Sequence, residues 1–161
     1  MKALLEILRD LLLFRRGPQD VPFSTSLLAA CCIAGFALDA FVASMLQPMH
    51  DPLPRTAMSL AALLALPWVA LKMANKEARY AQTAIALVAT SAAFTVLAVP
   101  ILVGIGTMPA KPEDVTQGQA LLGLLSLALF GWQLAVRGHI YRHALELPLR
   151  LGVLIDRKSV V

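Results

Sequence analysis

Four stretches of this chain each hold about as many apolar residues as a bilayer is thick, and proline, glycine and charge stand between them. They run from about Ser24 to Leu46, Thr56 to Met73, Ala81 to Gly104 and Gly118 to Val136. A helix needs about 20 mostly apolar residues to cross the roughly 30 Å hydrocarbon core, so each stretch predicts a transmembrane span. The rest of the composition agrees. With 58% hydrophobic and 15% charged residues and a mean hydropathy of +0.72, the chain has too little charge to coat a soluble domain, where about 25% is usual. The same numbers exclude intrinsic disorder. The only two cysteines are the neighbours Cys31 and Cys32, which cannot frame a disulfide-stapled fold. The predicted class is all-α, a polytopic transmembrane helical bundle.

The segment before the first span is of a different kind. On a helical wheel Leu4, Leu5, Ile7, Leu8, Leu11, Leu12 and Phe14 share one side, while Lys2, Glu6, Arg9, Asp10 and Arg16 take the other. Only Leu13 is out of place. Residues 1–16 are therefore expected to form an amphipathic helix lying in the headgroup plane. A secretory signal peptide is disfavoured, because Glu6, Arg9 and Asp10 interrupt its apolar region and no small-residue cleavage site follows.

Basic residues orient the bundle. Setting aside the last six residues, ten of the twelve Lys and Arg fall on the side of the N-terminus, against Arg55 and Lys111 on the other. The positive-inside rule then puts the N-terminus in the cytoplasm, as in a bacterial inner membrane, and the loops around His50 and Lys111 outside. It also accounts for the pI of about 9.4: the charge meets anionic lipid headgroups, and no nucleic-acid partner is called for.

Within the third span Gln82, Thr83, Ala86, Ala89, Thr90 and Ala93 gather on one face. Small residues let helix backbones approach in lipid, so this helix is expected at the centre of the bundle. Gly131 and Ala135 are expected to pack in the same way from the fourth span. Pro67 and Pro100 each remove a backbone donor inside a span and should bend it.

Two groups of residues could carry chemistry. Asp39 is a carboxylate inside the first span, where a charge is costly and normally faces the bundle interior. It reads either as a proton or cation site or as a group quieted by a Ser or Thr hydrogen bond. No basic residue within another span offers itself as a partner. The second group follows the fourth span, where Arg137, His139, Arg142, His143 and Glu146 cluster. The two histidines and Glu146 share one helical face with spacing acceptable for a metal. The HExxH pattern fails at Ile140, however, and Arg142 would repel a cation. The plainer expectation is a cationic helix end on lipid phosphates, with no metal and no cofactor. Cys31 and Cys32 read as packing residues, and no phosphate loop or nucleophile elbow occurs.

The C-terminus carries its own expectation. Asp156 to Val161, DRKSVV, is what the opening of a common short-read sequencing adapter encodes in one frame, stop codon included. Those six residues are set aside as an artefact. The apolar run from Leu145 to Ile155 is then expected to be the start of a truncated fifth span.

An amphipathic N-terminal helix, four spans and a beginning fifth resemble the Yip-type (Ypt-interacting-protein) family of five-helix membrane proteins. The stretches Phe14 to Pro22 and Gly138 to Pro148 are similar to small proteobacterial inner-membrane proteins. That resemblance implies a non-enzymatic structural, assembly or interaction component, working as a homo-oligomer or with another membrane protein. The alternative is an oligomeric transporter or channel subunit using Asp39, with Pro67 and Pro100 along its path. A membrane-embedded, lipid-modifying metalloenzyme built on His139, His143 and Glu146 comes third.

Overall fold

The structure, a computed structural model, describes residues 2–46, 51–106 and 115–146, and over them it is all-helical. In order it contains α1 (Lys2–Leu12), α2 (Thr25–Leu46), α3 (Pro52–Met73), α4 (Tyr80–Ile105) and α5 (Gln117–Leu145). Single 3-10 turns, Pro18–Asp20 and Glu77–Arg79, precede α2 and α4. The helices α2 to α5 are each long and apolar enough to cross a membrane, so the chain reads as an integral membrane protein. The shortest two, at 22 residues, reach about 33 Å at roughly 1.5 Å per residue. The last span runs on to Leu145 instead of closing at Val136, a difference that decides where Arg137 sits. The loops around His50 and Lys111, the run to Ile155 and the six terminal residues lie outside the described residues.

Local chemistry sets the helix ends. The Asp51 carboxylate accepts the Leu53 N–H at 3.0 Å and starts α3. Thr116 and Gln119 cap α5 reciprocally, each side chain taking the other's backbone N–H. Asn75 turns the chain out of α3 at φ 54°, and Gly106 ends α4 at φ 62°, positive-φ backbone that Asn and Gly tolerate best. Pro67 and Pro100 are both carried inside continuous helices. The Tyr80 hydroxyl donates to the Leu64 carbonyl at 3.3 Å, in the turn that Pro67 disrupts.

Helix α4 is central and touches every other helix. Its burial exceeds the expected small-residue face. Thr83 through Val88 are all buried in succession, so Ile85, Leu87 and Val88 are enclosed along with the alanines. Neighbours surround this half of the helix, whereas the expectation had only one side packed. Close approach is visible where a Cβ on Gly35 of α2 would stand 3.3 Å from Val88.

The matching expectation for α5 fails. Gly131 and Ala135 are exposed, and α5 instead buries Val136, Ile140 and Ala144. The reason is shape: the short side chains are already supplied by α4, so α5 contributes the bulk that fills the space over them. Trp132 belongs to that packing face and meets Phe94 edge-on at 5.2 Å.

Helix α1 does not lie clear of the bundle. Leu11 is fully buried against it, with Ile7 and Leu12 packed alongside, while Leu5 stays exposed. Trp132 Nε1 donates to the Leu12 carbonyl at 3.1 Å, satisfying an acceptor that the helix end leaves open. Asp10, assigned to the polar face, is nearly buried, because the chain reverses after Leu12 and brings Arg16 back to within 3.2 Å of its carboxylate. Arg9 pairs with it at 3.0 Å.

Candidate functional site: a polar cleft at the Asp39 level

Three helices bring polar side chains to one depth. Counting from the ends of α2, α3 and α4 nearest α1, residues Asp39, Ser59 and Thr95 each fall about 21–23 Å along at roughly 1.5 Å per residue. Thr95 Oγ1 donates to Asp39 Oδ1 at 2.7 Å, a short bond across the α2–α4 contact. The same hydroxyl lies 3.2 Å from the Ser91 carbonyl one turn earlier, so one proton is shared between two acceptors.

On the α1 side of Asp39 a cleft of about 170 Å³ opens, lined by Gly35, Ser59, Leu63, Ser91 and Arg137 among others. On its other side lies a second, of about 360 Å³, lined by Arg55, Thr56, Ser59 and Thr95. Asp39 and Ser59 border both. The carboxylate thus stands between two clefts, each with an arginine in its lining.

Arg137 is the largest departure from the sequence reading. It was expected on lipid phosphates beyond the span. Because α5 continues without a break, its side chain turns inward, and Nη2 donates to Ser91 Oγ at 3.3 Å. The expectation that no basic group accompanies Asp39 inside the bundle is corrected with it. The two charges line the same cleft without forming an ion pair. Arg137 Nε is fully buried and has no hydrogen-bond partner among the described residues. A sequence signal existed: α5 stays apolar on one face as far as Ile140, which puts residue 137 inside the helical register of the span.

The cluster after Arg137 is divided among other tasks. His139 Nε2 is 3.1 Å from the Arg16 carbonyl, and its ring meets Phe14 and His143 edge-on. Glu146 pairs with Lys76 and Arg79, and Lys76 also donates to the Leu145 carbonyl at 2.9 Å. Those two cations, Lys76 first, hold the Glu146 carboxyl below the usual carboxylate range. His139, His143 and Glu146 therefore do not converge, and no group of three potential ligands gathers among the described residues. Arg142 and His143 instead line an open polar pocket with Gln19, Arg79 and Glu146. Pro100 is exposed and Pro67 is buried, and neither lines the clefts beside Asp39. Cys31 borders an apolar crevice under α1 together with Leu8, Leu27 and Ile85.

The chain matches no family model, no curated protein and no solved structure.

Proposed function

We propose that this protein is a small transport subunit of a bacterial inner membrane, with Asp39 as its proton-exchanging group. One observation carries the reading: Asp39 separates two polar clefts, one on each side along the bundle, and borders both. A carboxylate in such a place can meet one aqueous face and then the other if either cleft opens. Thr95 suits the same role, since its hydroxyl proton can serve Asp39 or the Ser91 carbonyl. Charge distribution supports a cytoplasmic N-terminus. It also supports anionic lipid headgroups as partners of the pocket that holds Arg142 and His143.

The test is proton flux in liposomes reconstituted with the full chain and loaded with a pH-sensitive dye. Wild-type protein should dissipate an imposed gradient, and Asp39→Asn should not. Equal flux in both, or none above empty liposomes in either, overturns the proposal.

A second reading, as a structural or interaction component that self-associates, is favoured by a different surface. Ala128, Gly131, Ala135 and Gly138 form an exposed strip of small residues along α5, which suits close contact with another membrane helix. The Yip-type resemblance points the same way. Purification in mild detergent should then yield a homo-oligomer or a stoichiometric partner, and a lone monomer speaks against it.

A further inference from the structure

We infer that the cleft between Asp39 and Arg137 binds the carboxylate of a small acid bearing a short alkyl chain, with the Arg137 guanidinium as its anchor. The inference rests on the transport reading and names the solute class of the same site. It begins from charge. A guanidinium is always ionised, and burying one without a counter-charge is expensive. Among the described residues Arg137 has a single long hydrogen bond, to Ser91, while its Nε–H is buried and unpartnered. The nearest available anion, Asp39, spends Oδ1 on Thr95 and makes no ion pair with it. The side chain lines the cleft, and a planar guanidinium of this kind fits a carboxylate, which can accept from its two terminal nitrogens.

The walls specify the rest of the ligand. Ser59 and Ser91 are the other hydrogen-bonding side chains in the lining besides Asp39 and Arg137. Leu60, Leu63, Leu66 and Val88 make the remainder apolar. About 170 Å³ corresponds to roughly five to six waters at ~30 Å³ each, room for an acid of a few carbons and too little for a long acyl chain. Ala62 and Leu66 are exposed on the α3 side, so the apolar edge of the cleft opens toward lipid, the phase through which a neutral weak acid travels.

The Asp39 carboxylate would repel such a guest, which favours its binding together with one proton. The acid enters as HA; its proton goes to Asp39, and A⁻ pairs with Arg137. Around Asp39 the groups that face this step are Thr95 from α4, Ser59 and Arg55 from α3, and Arg137 from α5. Two of these are cations, and either could offset an ionised Asp39, so uptake of a proton on binding is the point to be measured.

The experiment is equilibrium binding of carbon-13-labelled propionate to the full chain in nanodiscs, followed by NMR line broadening across a range of pH. Wild-type protein should show saturable binding that strengthens about tenfold for each unit fall in pH while one proton is coupled. Asp39→Asn should still bind propionate but lose the pH dependence. Arg137→Met should abolish binding, and Lys72→Gln, exposed and outside the cleft, should leave it intact. Ser91→Ala, a milder change, should weaken binding severalfold even if Arg137→Met fails to fold. Chloride competing as well as propionate would overturn the carboxylate assignment. No saturable binding, or binding unaffected by Ser91→Ala and Arg137→Met, would overturn the site itself. Proton flux that needs Asp39 but ignores propionate would remove this inference and spare the transport reading. Binding without any flux would do the reverse.

Discussion

Replacing Arg137 with methionine should make the bundle more stable. Methionine keeps the unbranched stem and the helix propensity while deleting the guanidinium. What is lost is one bond to Ser91 at 3.3 Å, beyond the usual N–H···O range; interhelical side-chain bonds of this sort contribute about 0.6 kcal/mol in membranes. What is gained is relief of the buried, unpartnered Nε–H, about 1–3 kcal/mol on the scale for unsatisfied donors. The reference state adds to the gain. Arg137 is eight residues before the end of α5, or about 12 Å, so in an isolated helix it can snorkel to the headgroups. Folding draws it away from them. The expected net change is a stabilisation of about 1–2 kcal/mol. Steric trapping in lipid bicelles, where the unfolded reference keeps its helices, reads this directly. A destabilisation beyond about 1 kcal/mol would refute the reasoning. It would mean that Arg137 serves as counter-ion to Asp39 across the cleft, and the double variant with Asp39→Asn would expose that coupling.

Three further outcomes follow from other contacts. Trp132→Phe keeps the ring packed on Phe94 but removes the donor to the Leu12 carbonyl; it should loosen α1 by about 1 kcal/mol, seen as faster amide exchange at Leu11 and Leu12 with α4 unchanged. Gly35→Ala puts a Cβ 3.3 Å from Val88 and should cost about 1 kcal/mol, with Gly35→Leu costing about 2–3 kcal/mol by overpacking; equal stability in the steric-trapping assay would show that the α2–α4 approach is not tight. Because Lys76 and Arg79 depress the Glu146 pKa in the fold, the stabilisation they share is present above the ordinary Glu range. It is lost as pH falls through the lowered folded value. Amide exchange in the last turn of α5 should therefore quicken on acidification into and below that range, and Glu146→Gln should remove the dependence.

The membrane class and the four spans were legible because hydropathy over about twenty residues is a local property that no partner can undo. The centrality of α4 was legible too, from its alanines and threonines. The site was half legible. Asp39 announced itself as a carboxylate in an apolar run, but its companion did not. Arg137 looked like the first residue beyond a span, since a hydropathy window ends at a charge whether the side chain snorkels out or turns in. Which way it turns depends on whether Ser91 and an open cleft lie within reach, and both belong to other helices. His139 and His143 show the same limit: their i, i+4 spacing is real, but the Arg16 carbonyl and the Phe14 ring engage the first of them.

Spacing along one helix is fixed by the chain, and that is why sequence alone determined four spans and the isolated acid in the first. Contacts between helices depend on rotation and depth, which hundreds of small packing interactions set together. Only the tertiary structure could decide that α5 turns its glycines outward and its tryptophan inward. Only it could place a guanidinium and a carboxylate on the same cleft.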